Sequence, residues 1–147
     1  MKRVLTPMTI AAIALLAGSL WAAAPAGLYT ISTDTVQDNK TGLTWQRSVP
    51  SSTYTWADAT SYCQALNLGG FSSGWRLPAK KELETLVDER VQNQAIDATA
   101  FPNAPAGPSW TSTPFAGASG HAWSVDFGYG NSYYDDTTST SRVRCVR

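Results

Sequence analysis

The chain has 147 residues, with 11 Lys and Arg against 11 Asp and Glu and a formal net charge of +0 at pH 7. That balance excludes the basic excess on which nucleic-acid binding depends, and the length allows one domain of ordinary size rather than two. Six Trp and six Tyr stand beside few branched aliphatic residues after the N-terminal stretch, so aromatic rings must supply much of the buried area.

Met1-Lys2-Arg3 precedes an apolar run from Val4 to Trp21 that ends in Ala22-Ala23-Ala24. A charged start, an apolar centre and a small-residue exit define a secretory signal peptide over residues 1–24. The rival is an uncleaved anchor, because the run approaches the roughly 20 residues a span needs; Pro7 and the alanine tail favour cleavage. Residues 25–147 are then expected as a single exported domain with no further membrane span, in the periplasm, at the cell surface or secreted. Without Lys2 and Arg3 it is slightly acidic.

Gly27 to Ser32 alternates as one or two short strands, with Val36 resuming after a polar break. Asn39-Lys40-Thr41-Gly42 places Asn and Gly where a tight turn needs them, and Leu43 to Gln46 alternates again, which makes a hairpin. Thr55-Trp56-Ala57-Asp58 has the form of a capping box, and Trp56, Ala59, Cys63 and Leu66 recur at helical spacing. A helix is predicted from Trp56 to about Leu68, ended by Gly69-Gly70. Lys80 to Val87 is a second helix, with Leu83, Leu86 and Val87 on one face, Pro78 near its first turn and Lys80 spaced to pair with Glu84. Val91 to Pro108 has no period and is a long irregular segment.

Trp110 to Pro114 is a short strand with its edge at the proline. Ala122 to Phe127 alternates most cleanly, with Trp123, Val125 and Phe127 on one face, and is the central strand. After a turn at Gly128 to Asn131, Ser132 to Tyr134 is a partner strand and Asp135 to Thr140 a polar loop. Ser141 to Arg147 is a last strand, with Val143 and Cys145 inward and Arg142 and Arg144 facing the other way. The order gives an α+β fold, two helices on a mostly antiparallel twisted sheet.

The chain has two cysteines, Cys63 and Cys145, and in an oxidising compartment they pair. The bond ties the first helix to the last strand. It closes a loop of about 80 residues, for which the chain-entropy account gives roughly 4 to 5 kcal/mol. A catalytic Cys63 with His121 as its base is the competing possibility, and the bond removes it.

Thr41-Gly42-Leu43-Thr44-Trp45-Gln46-Arg47, Trp56-Ala57-Asp58-Ala59 with Tyr62-Cys63, Gly74-Trp75-Arg76-Leu77-Pro78 with Glu82-Leu83, Trp110-Thr111-Ser112, Trp123 to Phe127 and Val143 to Arg147 follow one another in an ordered set. In these motifs, over nearly all of residues 25–147, the chain resembles the C-terminal domain of the Legionella collagen-like adhesin. The resemblance implies a C-type lectin-like architecture, and a more distant likeness in fold to the formylglycine-generating enzymes. Neither activity transfers with the fold. Phe101-Pro102-Asn103 and Val125-Asp126 do not match the calcium-binding motifs of sugar-binding lectins, and no cysteine is spare for formylglycine chemistry. Where the resemblance leads one to expect Ser or Thr after Pro78, the chain has Ala79, so the second helix loses roughly 1 kcal/mol of capping.

Among candidate sites, Gly74 to Pro78 is best explained by a buried Trp75 and an Arg76 bonded to backbone carbonyls, and Trp45, Trp56, Trp110 and Trp123 by core packing. His121, the one histidine, is expected to face solvent; Asp126, Asp135 and Asp136 show no metal-ligand spacing around it, so neither metal nor cofactor is assigned. Asp88, Glu89 and Asp97 have no spacing that favours catalysis, and no catalytic residue is named. The late stretch of Tyr129, Asn131, Tyr133, Tyr134, Asp135 and Asp136 combines aromatic rings with amide and carboxylate groups, which suits sugars. Arg142, Arg144 and Arg147 form a local basic cluster suited to a sulfated or carboxylated glycan. The expected function is a non-catalytic, adhesin-like binding module for a glycan or other extracellular polymer; the alternative is a protein-interaction or self-assembly domain of the bacterial cell envelope.

Overall fold

The computed structural model describes residues 25–147, and the signal peptide expected over 1–24 lies outside them. Three short strands come first: β1 (Tyr29–Ile31), β2 (Thr35–Asp38) and β3 (Thr44–Gln46), antiparallel in the order β1-β2-β3. The β2–β3 turn is set by Asp38, whose Oδ1 accepts from the Lys40 and Thr41 amides at 2.8 and 3.3 Å, while Gly42 takes a φ of 76°. Helices α1 (Trp56–Gln64) and α2 (Lys80–Glu84) follow, then β4 (Pro108–Pro114), β5 (His121–Asp126) and β6 (Asn131–Asp136), also antiparallel, with β5 central as expected. The architecture is α+β, with two three-stranded sheets rather than one.

Residues 141–147 join the two sheets. Arg142 exchanges backbone hydrogen bonds with Pro108 and Trp110 of β4, and Thr44 of β3 exchanges a reciprocal pair with Arg147, each at 2.9 Å. Val146 also pairs with Arg76 on its other side. Inserted in this way, the segment is covered on both faces, so Val143, Arg144, Cys145 and Val146 are all buried. The outward orientation expected for Arg144 is therefore wrong.

Two apolar clusters flank this junction. One gathers Val36, Trp45, Leu83, Ile96, Phe101, Val125 and Val146; the other gathers Ala59, Cys63, Trp75, Leu77, Trp110, Val143 and Cys145. The second contains the disulfide between Cys63 and Cys145, with an S–S distance of 2.05 Å and a Cα–Cα distance of 5.4 Å. The bond sits where the first helix meets the last segment.

Among the described residues, Arg144 has no carboxylate within hydrogen-bond or ion-pair distance. Its Nη1 donates to the carbonyls of Gln46 and Arg47 at 2.6 and 2.8 Å, and its guanidinium lies 4.6 Å from the Phe101 ring centroid. Burial depresses its pKa below the ordinary arginine value. Two carbonyl dipoles and an aromatic face still hold the cation.

Several boundaries differ from the sequence expectation. Helix α1 stops at Gln64, not near Leu68, because Gly69 and Gly70, with φ of 62° and 82°, turn a small hairpin instead of capping the helix: Leu68 and Phe71 exchange backbone bonds at 3.0 and 3.1 Å. Helix α2 ends at Glu84, and Leu86 and Val87 continue it only as tight turns to Leu83 and Glu84. Its first residue has the expected partner, with Lys80 Nζ 2.7 Å from Glu84 Oε1. Ala79 makes no side-chain cap bond, and Glu82 Oε2 accepts the Ala79 amide at 2.7 Å, so half of a capping box remains. Arg76 bonds not to backbone carbonyls through its guanidinium but to the Glu82 carboxylate, through two bonds of 2.7 Å. Asp135 and Asp136 belong to β6 and not to a loop.

The irregular segment brings Asp97 beside Asp88, Glu89 and Tyr29 around a cavity of about 340 Å³. Burial, and then the negative charge of Asp38, pushes the Tyr29 hydroxyl up to about 12. A proton held more tightly in the folded state stabilises fully below the ordinary tyrosine pKa, and that contribution is lost as pH rises through the folded value. Ultraviolet titration of the native protein should show one tyrosine ionising near pH 12, and Tyr29→Phe should remove that step. A Tyr29 that titrates with the exposed tyrosines would contradict this.

Candidate functional site

Strand β6 carries most of the aromatic stretch seen in the sequence, and strand alternation divides it. Asn131, Tyr133 and Asp135 point to one face, and Ser132, Tyr134 and Asp136 to the other. Tyr129 stands alone at the hairpin tip, 65% exposed, while Asn131 Nδ2 donates to the Tyr133 hydroxyl at 3.2 Å. Asp135 Oδ1 accepts from the Asp136 amide at 2.8 Å. Arg142, half-buried, donates to the Ser51 carbonyl, and Arg144 is in the core. The residues expected to form one site are therefore not brought together.

The face of Tyr134 gathers other rings. Tyr134 pairs across the sheet with Trp123. Phe115, just past β4, stacks flat on Tyr134 with centroids 3.9 Å apart and an interplanar angle of 2°. Trp123 and His121 stand at 83° and 68° to Tyr134, with centroids 5.9 and 6.0 Å away. Phe115 is held from behind by the chain at Gly117, where an added Cβ would lie 2.6 Å from the Phe115 Cζ. Phe115 also meets Trp123 edge to face, with centroids 5.3 Å apart and an interplanar angle of 85°.

Polar groups surround the rings. Lys80 Nζ lies 4.6 Å from the Trp123 ring centroid while paired with Glu84. Ser132 donates to Glu84 Oε1 at 2.6 Å, which links α2 to β6. Burial alone would raise the Glu84 pKa; the hydrogen bonds from Lys80 and Ser132 outweigh it and lower the value. Asp136 accepts from the Thr138 amide and hydroxyl, and these bonds hold its carboxyl below the usual range. His121 is half-buried, with Nδ1 3.2 Å from the Ser119 carbonyl, so it does not project freely into solvent as expected.

The outcome is a patch with one ring open to solvent, Tyr134 at 52% exposure, supported by Phe115 and Trp123 and bordered by an ammonium, an imidazole and a carboxylate. Sequence reasoning assigned Trp123 to the core and did not consider Phe115. The strand register that places Trp123 beside Tyr134 was available from the alternation, whereas the return of Phe115 over Tyr134 depends on a loop without a period. Among the described residues no three His, Cys, Asp or Glu side chains gather as a metal-binding group. Among them too, no helix is long and apolar enough to cross a membrane.

Fold and surface together define a small, disulfide-stapled α+β domain with an aromatic surface patch. The chain belongs to the Lcl C-terminal domain family, whose profile matches residues 34–147. No curated protein sequence matched the chain.

Proposed function

We propose that this protein is an exported, non-catalytic binding module of adhesin type, with a C-type lectin-like scaffold, whose ligand is a glycan or a related extracellular polymer. Family membership and the disulfide support an extracellular or envelope setting. The observation that carries the glycan reading is the half-exposed Tyr134 ring, held rigid by Phe115 and ringed by Lys80, His121 and Asp136. A preorganised ring offers an apolar platform to the C–H face of a sugar, and the flanking groups are placed for its hydroxyls.

A glycan array followed by competition with free sugar tests this. Tyr134→Ala should weaken binding by up to about tenfold, the equivalent of one aromatic contact, while the unfolding midpoint moves little. Absence of signal on every glycan, together with an envelope protein recovered by cross-linking, would instead establish the interaction-domain alternative.

A further inference from the structure

We propose a second saccharide subsite on the outward face of the first sheet, for an uncharged sugar chain. It extends the glycan-binding reading to a surface built without any residue of the Tyr134 patch. Thr30 pairs with Gln37, Gln37 with Thr44, and Thr44 exchanges backbone bonds with Arg147. Residues directly opposite in a sheet share a face, so these four side chains form one continuous row. The opposite face carries Val36, Trp45 and Val146 into the core, which fixes the polar row outward.

The Gly69-Gly70 hairpin makes the wall of this row. Gly69 is pressed against Thr35, where an added Cβ would lie 2.5 Å from the Thr35 Cγ2, and the turn brings Phe71 over the sheet. Phe71 remains 37% exposed, with the Arg147 guanidinium 3.7 Å from its ring centroid. The resulting cavity, of about 400 Å³, includes Thr30, Asp34, Gln37, Thr44 and Phe71 in its lining. That size lies within the range of about 300 to 1,000 Å³ usual for small-molecule sites.

The chemistry of the lining selects the occupant. Threonine hydroxyls and the Gln37 amide both donate and accept, as sugar hydroxyls do. Phe71 supplies an apolar surface for ring carbons. Asp34 opposes a uronate or sulfate, and Arg147 opposes a cationic ligand, so the uncharged polyol is favoured over either. The row itself lies on the face of the sheet, away from the open edge at β1 where an extended peptide would add as a strand.

The test is amide-resolved NMR titration of the oxidised domain with maltotriose, cellotriose and the N-acetylglucosamine trisaccharide, with trigalacturonate as the charged counterpart. At least one neutral trisaccharide should shift the Thr30, Gln37, Thr44 and Phe71 amides, with little dependence on salt. Gln37→Ala and Phe71→Ala should each weaken that response by about five- to tenfold, the scale of one hydrogen bond or ring contact, while Tyr134→Ala leaves it unchanged. Gln37 is exposed and Phe71 partly so, and the dispersed spectrum itself reports that each variant is folded. Shifts confined to the Tyr134 face, a response to trigalacturonate alone, or no response at millimolar sugar would each overturn the proposal. Shifts in the groove without any at Tyr134 would support this subsite independently of the first, which the glycan array tests separately.

Discussion

Cys63→Ala and Cys145→Ala should each lower the unfolding free energy by about 2 to 5 kcal/mol, the range for loss of a native disulfide, and the double variant should fall close to either single one. The bond spans 82 residues, so most of the chain lies within the loop whose freedom it restricts in the unfolded state. Both sulfurs are fully buried among Trp75, Trp110 and Val143, so each single variant also leaves one thiol confined in an apolar site. Near-equality of the three variants follows because the crosslink is lost once, whichever end is removed. Denaturant unfolding measures the energies, and the intact oxidised protein should weigh two hydrogen atoms less than the reduced form. Additive losses from the two single variants would mean that side-chain packing, and not the crosslink, dominates.

A comparable loss is expected at Arg144, the residue that precedes Cys145. Arg144→Ala removes the donor to the carbonyls of Gln46 and Arg47 and empties the space against Phe101. Each buried carbonyl left without a donor costs about 1 to 3 kcal/mol, and the cavity adds to this. The expected total is about 3 to 5 kcal/mol. Arg144→Lys should fall between the wild type and Arg144→Ala, because an ammonium can reach one carbonyl but does not reproduce the planar guanidinium over the ring. Equal stability of Arg144→Ala and the wild type in urea unfolding would refute the structural role. The result also decides how the basic cluster is understood, since a buried Arg144 cannot meet a glycan.

The features legible in the sequence were those governed by local rules. The Asn39 to Gly42 turn, the start of α1 at its Thr55 cap and the Lys80–Glu84 pair all depend on residues within four positions of one another. The disulfide was legible for a different reason: two cysteines in a chain expected to be exported leave one pairing. Failures arose where tertiary contacts decide. Gly69-Gly70 reads equally well as a helix stop or a hairpin turn, and the pairing of Leu68 with Phe71 selects the turn. The alternation of residues 141–147 put Arg144 outward, but a segment bonded on both edges and covered on both faces has no outside. For the candidate site, Tyr134 was legible as an exposed aromatic, whereas grouping residues 129–136 as one binding stretch overlooked the strand alternation that divides them between two faces.

The placement of residues 141–147 between the sheets has a kinetic meaning. Thr44 and Gln46 meet Arg147 and Cys145 across about a hundred positions, and neither apolar cluster is complete without a residue from this segment. Contacts of such high sequence separation slow folding, because a long loop must close before they contribute. A chain that lacks residues 141–147 therefore cannot complete either apolar cluster, however well its earlier elements form.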